Sequence, residues 1–346
     1  MRRASALAGA HPQPSPSSGR GRARRSPFGH AQKRPPIPCP LPPPFAPYSR
    51  LDSVLIRFMP APNAAYRPVT HYENFPVASW LCPAHLRAPI AAIYHYARTA
   101  DDIADEGQLP VAERLHLLRE YRHCLRGEAS APPSHTHWQP IMAAVHDSIA
   151  RFGLPQQHFE ALLDAFEQDV RKTGTGHGYA DRTELLDYCA RSANPVGRLV
   201  LHLHGVDDET SLQQSDAICT ALQLVNFWQD LQHDIPRGRW YVPEQDASAF
   251  GISRPTQQQA LAQGRQPAAL TNLMAELVQW TRACMEQGAP LVHRLRGRTG
   301  WELRVVVQGG LRVLEKMEQS GYECYIHRPT ITRGDIPTLL WRAWRM

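Results

Sequence analysis

One stretch of this chain, Ala217–Ile235, is apolar on nearly every side of a helix except for one narrow strip, and it constrains the fold most. At about 100° per residue, its polar side chains fall in a strip about 80° wide. The strip consists of Cys219, Gln223, Asn226, Asp230 and Asp234. A helix that is apolar on most sides is buried, so the strip is predicted to face an internal cavity. Carboxylates and an amide there need a partner, and all-oxygen ligands suit a hard cation such as Mg²⁺.

A second acidic stretch, Tyr94–Glu106, comes earlier in the chain. On a helix its polar residues share a strip about 60° wide, while alanine and isoleucine cover the opposite side. The strip holds Tyr94, Arg98, Asp101 and Asp105, with Asp102 at its edge. Stacked carboxylates repel each other unless they are solvated or share a cation. Taken alone, this pattern is most typical of a solvated acidic helix end.

Together the two stretches resemble the squalene/phytoene synthase family. The resemblance rests on Asp101-Asp102-x-x-Asp105 and on Asn226-x-x-x-Asp230-x-x-x-Asp234, which is followed by Arg237–Pro243. It runs from about His71 to Arg328. Within the family, Glu73–Ser79, Ser192–Arg198 and Asn226–Asp230 are most similar to the hydroxysqualene synthase branch of bacterial hopanoid biosynthesis. With both stretches in view, a solvated helix end no longer accounts for the first one.

The resemblance implies an all-α, single-domain helical bundle of the isoprenoid synthase type around a central cavity. It implies that presqualene diphosphate ionises with the help of Mg²⁺ and that water captures the cation to give hydroxysqualene, without NADPH. The implied metal ligands are Asp101, Asp105, Asn226, Asp230 and Asp234, with Asp102 either a ligand or a support behind one. The implied catalytic residues are Asp101, Asp105, Asp230, Asp234 and Tyr188. The implied substrate-binding residues are Phe75, Tyr94, Arg98, Gln223, Asn226, Gln229, Arg237 and Arg239.

Two positions depart from the broader family. Gln229 stands where an arginine is usual before Asp230, and Ser79 replaces a common aromatic residue. Loss of the arginine weakens any prediction that two farnesyl diphosphates are condensed here. The group that positions the water stays open, with Asn194 and Gln229 as candidates. Two other readings also stay open: head-to-head condensation of two prenyl diphosphates, or a catalytically silent assembly factor on the same fold.

Residues 1–70 differ in composition from the rest of the chain. They hold 15 of the 31 prolines, 11 of the 38 basic residues and a single acid, Asp52. Such a segment cannot bury enough apolar surface to offset its ordering entropy, so we expect a disordered extension before an all-helical domain at 71–346. Its charge alone would also fit a transit-like or nucleic-acid-binding arm, although we expect no nucleic-acid partner. Translation beginning at Met59 is another account of this segment.

Helical periodicity continues through most of the domain. Pro89 is predicted to open a helix over Ile90–Glu106, a break is predicted at Asn194-Pro195, and Asp208–Ile235 is predicted as one continuous helix. Pro236–Phe250 is expected to be a loop. Seven scattered cysteines without a C-x-x-C spacing favour reduced thiols.

The last eleven residues, Ile336–Met346, interleave leucine and tryptophan with arginine. This mixture suits a membrane interface, and a last helix docked on the core is the alternative. No apolar run is long enough to span a bilayer. We therefore expect a cytoplasmic protein that associates with membranes at most peripherally. The resemblance further implies handover of lipid intermediates with other enzymes of the squalene pathway.

Overall fold

The computed structural model describes residues 82–346, and every regular element in that range is helical. The helices are α1 (Arg87–Asp105), α2 (Val111–Leu125), α3 (Trp138–Phe152), α4 (Gln156–Thr175), α5 (Arg182–Ser192), α6 (Asn194–Leu203), α7 (Glu209–Gln229), α8 (Leu231–Asp234), α9 (Glu244–Ala249), α10 (Arg254–Gln263), α11 (Ala268–Gly288), α12 (Gly297–Gln319) and α13 (Ile336–Arg345). The all-α prediction is confirmed. The predicted extension at 1–70 lies outside the described residues, so the domain division stays a prediction.

Helix α7 lies between two apolar clusters, as its sequence pattern predicts. One cluster contains residues of α7, α11 and α12. The other contains residues of α1, α2, α3, α4 and α6, together with Cys219 of α7. Every residue from Ser215 to Gln229 is buried. The polar strip of α7 is therefore held inside the protein, where its groups must be satisfied by protein, water, ion or substrate.

Two helical stretches of the predicted site are interrupted at defined residues: one between α5 and α6, the other between α7 and α8. The predicted break is confirmed: α5 ends at Ser192, α6 begins at Asn194, and Ala193 lies between them with φ −116°. The prediction of one continuous helix through Ile235 is wrong. Asp230, with φ −102° and ψ 13°, separates α7 from α8, although its N–H still donates to the Asn226 carbonyl oxygen at 2.8 Å.

Two further boundaries differ from the predictions. Helix α1 begins at Arg87, which places Pro89 third in the helix, still within the turn whose N–H groups have no helical partner. The expected loop at Pro236–Phe250 contains α9, which starts after Pro243 and has Glu244 and Asp246 in its first turn, where carboxylates favour the helix dipole. The six described cysteines are buried and unbridged. Within 82–346 no helix combines the length and apolarity needed to cross a bilayer.

Helices α6 and α7 meet so closely that only glycine fits at residue 197. A Cβ there would overlap the Ser215 hydroxyl and would lie 2.6 Å from Cys219 Sγ. Polar contacts fix the same interface. The Arg198 guanidinium forms two hydrogen bonds with the buried Asp216 carboxylate, with Nε 3.0 Å from Oδ1. The Ser192–Arg198 segment is thereby locked against the helix that carries the second motif.

We expect Gly197→Ala to lower the free energy of unfolding by about 1–3 kcal/mol, because the added methyl group cannot be accommodated without moving α6 or α7. Urea denaturation followed by circular dichroism would measure the change. Gly334→Ala is the matched control, since a Cβ at that exposed position meets nothing closer than 3.8 Å. Equal unfolding free energies for the two variants would show that the contact between α6 and α7 accommodates the added methyl group without a cost.

Candidate functional site

The first acidic strip lies on the last two turns of α1 and is held by one arginine. Arg98 Nη1 donates to Asp101 Oδ2 at 3.1 Å, and its Nη2 lies 2.5 Å from Asp102 Oδ1 and 3.0 Å from Glu106 Oε1. Asp101 is buried, while Asp102 and Arg98 are half-buried. The helical spacing thus places three carboxylates around the guanidinium of Arg98, a residue that the resemblance implies as a substrate contact.

This strip holds more carboxylate than Arg98 can satisfy. The pKa of Asp102 is raised to about 7, chiefly because of burial, with a further contribution from the neighbouring Asp101 and Glu106 that outweighs, together with burial, the lowering effect of Arg98. Asp101 Oδ1 is buried and has no hydrogen-bond partner among the described residues. Buried carboxylate oxygens without a donor are costly, so this oxygen is a place for a ligand, an ion or a water molecule.

The second strip, on α7 and α8, is likewise incompletely satisfied. The Gln223 side chain is fully buried, and neither its Oε1 nor its Nε2 finds a hydrogen-bond partner in residues 82–346. Asn226 is buried one turn further on. Asp230 is paired with Arg328, whose Nε lies 2.5 Å from Asp230 Oδ1. Arg328 belongs to the segment between α12 and α13, so the end of the chain contributes a cation to this motif.

Arg239 joins the two motifs. Its guanidinium forms a bidentate pair with the Asp105 carboxylate, with Nη1 2.7 Å from Oδ2. The same group lies 3.8 Å from Asp234 Oδ1 and 3.7 Å from Asp169 Oδ2. Asp105 belongs to the first motif, Asp234 to the second and Asp169 to α4. The structure therefore brings one aspartate from each of the two predicted strips to the same guanidinium.

Asp169 is a site residue that the sequence analysis missed. It is buried, and the Tyr241 hydroxyl donates toward both of its carboxylate oxygens at 3.2 Å. A signal existed, because Leu162, Phe166 and Asp169 fall on one face of α4 at helical spacing, and a carboxylate on an apolar face is unusual. Arg328 had no comparable signal, since it lies in an irregular segment remote in sequence from Asp230.

The remaining predicted residues lie in different surroundings. Tyr188 is buried in an aromatic group with Tyr179, Phe227 and Tyr241, with ring centroids 5.0–5.9 Å from its own. Tyr94 is half-buried beside the His95 ring, and Arg237 is exposed. Phe75 lies outside the described residues.

The two candidates for positioning water both contact protein groups. The Gln229 amide nitrogen donates to the Pro329 carbonyl oxygen. Asn194 Oδ1 accepts from the Thr220 hydroxyl at 3.1 Å. Each residue therefore helps to hold its segment in place, and neither is singled out as the group that orients water.

The donor set at this site suits Mg²⁺. It consists of carboxylate and amide oxygens, and Asp101 Oδ1 has no hydrogen-bond partner among the described residues. Across residues 82–346, however, no three carboxylate, imidazole or thiolate groups converge closely enough to hold a metal ion. In this arrangement arginines pair with the carboxylates, so the assignment of Asp101, Asp102, Asp105, Asn226, Asp230 and Asp234 as ligands stays a prediction.

Comparison with known proteins agrees with this arrangement of motifs. The family model for squalene/phytoene synthase matches residues 69–335. The chain belongs to the squalene/phytoene synthase family. It is 33% identical over 248 residues to a hydroxysqualene synthase of Rhodopseudomonas palustris, which covers 71% of this chain and 80% of that one. It is also 31% identical over 191 residues to a presqualene diphosphate synthase of the same organism, over 55% of this chain and 65% of that one.

Solved structures show the same fold. The squalene synthase HpnC of Alicyclobacillus acidocaldarius is 33% identical and superposes with a TM-score of 0.62, over 73% of this chain and 90% of that one. A dehydrosqualene synthase superposes with a TM-score of 0.59 at 19% identity, which supports the fold alone. The predicted family and the predicted isoprenoid synthase-type helical fold are both confirmed.

Arg239 and Arg237 form a matched pair for testing the bridge between the motifs. We expect Arg239→Gln to destabilise the metal-free protein by about 3–5 kcal/mol, because it leaves Asp105, Asp169 and Asp234 without their shared cation. Arg237→Gln, at an exposed site, should change stability by less than about 0.5 kcal/mol. Chemical denaturation of both variants in EDTA measures the difference. Similar losses in both would contradict the bridging role.

Proposed function

We propose that this protein converts presqualene diphosphate and water to hydroxysqualene and diphosphate. The observation that carries the proposal is Gln229. It replaces the arginine usual in the family with a neutral, buried amide that donates to the Pro329 carbonyl. A site that condenses two prenyl diphosphates must neutralise two diphosphate groups. A site that lacks this arginine has one cation fewer, which suits a substrate with a single diphosphate group. The similarity to hydroxysqualene synthases over most of the chain supports the same reaction.

The reaction needs charge neutralisation more than a nucleophile from the protein. The carbon–oxygen bond to the diphosphate breaks, and its electron pair leaves with the diphosphate oxygen. The cyclopropylcarbinyl cation rearranges with opening of the ring. A water oxygen then bonds to the allylic carbon and loses one proton. Atoms and electrons balance without a hydride donor, so no NADPH is expected.

The charges of the site indicate what the protein supplies. Seven carboxylates contact three arginines, Arg98, Arg239 and Arg328; they are Asp101, Asp102, Asp105, Glu106, Asp169, Asp230 and Asp234. This excess of negative charge cannot hold a diphosphate unless cations are added. Bound Mg²⁺ would supply Lewis-acid stabilisation of the departing diphosphate. Arg98, Arg239 and Arg328, with the exposed Arg237, would bind diphosphate oxygens through charge-assisted hydrogen bonds.

Other side chains would act on the hydrocarbon part and on water. Tyr94 and Tyr188, together with Phe75, would stabilise cationic intermediates through their ring faces. Gln223 keeps its predicted role in substrate binding, because a fully buried amide with both polar atoms unsatisfied requires a partner. Asn194 and Gln229 are fixed by protein contacts and would shape the walls within which water is held.

A second candidate reaction is the head-to-head condensation of two farnesyl diphosphates to presqualene diphosphate. It is supported by the 31% identity to a presqualene diphosphate synthase, although this match covers only 55% of the chain. The aspartate strips serve diphosphate departure in both reactions, so they do not discriminate between the two. A silent assembly factor is less favoured, since all the aspartates of both motifs are present.

The origin of the oxygen atom in the product hydroxyl group distinguishes these reactions. Purified protein with Mg²⁺ and presqualene diphosphate in ¹⁸O-labelled water, without NADPH, should yield hydroxysqualene that carries the label in its hydroxyl group. A parallel reaction with farnesyl diphosphate alone should yield no product. Formation of presqualene diphosphate in the second reaction would assign the condensation instead, and inactivity in both reactions would favour the assembly factor.

Neutralising one aspartate of either strip should stop turnover while the fold persists. We expect Asp105→Asn and Asp230→Asn each to lower kcat by at least about 10²-fold, the effect typical of losing one electrostatic contact to a leaving group. Circular dichroism should show unchanged helix content. Asp207→Asn is the matched control, because Asp207 is exposed. Wild-type turnover by either motif variant at saturating Mg²⁺ would remove these aspartates from the mechanism.

A further inference from the structure

Helix α13 exposes an apolar face at the surface. Ile336, Leu340 and Trp344 recur every four residues on this face, with Trp341 beside them. The exposed fractions are 50% for Leu340, 54% for Trp341 and 72% for Trp344. A cluster of exposed tryptophans usually marks a surface that binds a partner or a membrane.

The opposite face of α13 is fixed to the protein. Leu339 and Ala343 are buried in the contact with α12, and Arg342 is ion-paired with Glu315. Before the helix, Asp335 accepts from Arg312 Nε at 2.9 Å and is also paired with Lys316. The interpretation of these residues as a last helix docked on the core is therefore confirmed for one face. The other face is presented by a helix that is already held in position.

A second segment, remote in sequence, borders the tryptophans. Trp344 lines a groove of about 310 Å³ together with Leu295, Gly297, Gly300, Trp301 and Arg304. Gly297 adopts φ +66°, and a Cβ at Gly300 would overlap the Leu295 carbonyl oxygen, so the first turn of α12 requires glycine at both positions. Arg296 and Arg298 flank Gly297, which lines the groove together with Trp344.

The charge of this region is opposite to that of the domain. Residues 293–304 and 333–346 hold seven arginines and two acids, whereas residues 71–346 hold 27 basic and 31 acidic residues. Arg296 and Arg298 are exposed, and neither forms an ion pair within 82–346. Arg345 lies over the Trp341 ring, 4.9 Å from its centroid. Tryptophan and leucine bordered by unpaired arginine are suited to the interface between acyl chains and anionic headgroups.

We propose that the outer face of α13 and the segment 294–301 together dock on an anionic lipid bilayer surface. A second copy of the chain is a poorer occupant, because a symmetric contact through this face would set arginines against arginines. An anionic surface instead neutralises the arginines while the tryptophans enter the headgroup boundary. The proposal stands on the geometry of this face and is independent of the reaction proposed above.

Quenching of tryptophan fluorescence by brominated lipid tests insertion directly. The full chain is mixed with vesicles containing 30 mol % phosphatidylglycerol in phosphatidylcholine whose acyl chains are brominated, or with matched vesicles without bromine. We expect bromine-dependent quenching that decreases in Trp341→Ser/Trp344→Ser, in which Trp301 is the one tryptophan left on the docking surface, and that is undiminished in Leu109→Ser, a serine substitution of an exposed apolar residue elsewhere. Because the basic residues 1–70 can bind anionic vesicles by themselves, sedimentation alone does not decide the question and quenching does.

Charge removal gives an independent measurement. Arg296→Gln/Arg298→Gln should lower partitioning onto these vesicles by about fivefold for each charge removed. Arg119→Gln/Arg265→Gln, which removes two exposed charges elsewhere, should leave partitioning within roughly twofold. Vesicle-bound wild-type protein without quenching, or quenching that is undiminished in the double serine variant, would overturn the proposal. So would an unquenched dimer that the double serine variant converts to monomer.

Discussion

The arrangement of the site depends on the guanidinium of Arg239. It contacts carboxylates from three parts of the bundle: Asp105 at the end of α1, Asp169 on α4 and Asp234 on α8. These carboxylates would repel each other if they were brought together without a cation. Arg239 is itself nearly buried, 9% exposed, so its charge is weakly screened and each of its ion pairs gains accordingly. Removing this one cation would unbalance all three elements at once.

Much of the fold and part of the site could be predicted from the sequence, because the helices that carry the motifs have clear apolar and polar periodicity. The apolar periodicity of 217–235 identified the buried helix α7 and its polar strip, and the spacing of Arg98, Asp101 and Asp105 predicted that these side chains share one strip of α1. The positions where helices are interrupted were harder to predict from the local sequence. Pro195 indicated the interruption after Ser192. No residue around Asp230 indicates the interruption between α7 and α8, which coincides with the pairing of Asp230 with Arg328.

Contacts between distant segments account for what could not be predicted. Arg328 is 98 residues from Asp230, and Trp344 shares a groove with residues about 45 positions earlier in the chain. Neither pairing follows from periodicity, because each depends on how α12 and the segments flanking it pack against the rest of the bundle. Asp169 is the intermediate case: its apolar neighbours on α4 showed that it would be buried, but only the fold shows that it faces Arg239 and Tyr241.

The ion pairs of the metal-free site have a consequence for ligand binding. Asp101, Asp105 and Asp230 cannot give up their arginines to a cation unless those arginines find another anion, since a buried guanidinium without a partner is costly. A diphosphate alone meets the opposite difficulty, because the carboxylates outnumber the arginines around it. Each ligand therefore removes the penalty that the other would meet, and we expect the affinities for Mg²⁺ and for a prenyl diphosphate to rise together by the same factor. Under the proposed function, such coupling would disfavour the binding of a free metal ion or of free diphosphate alone.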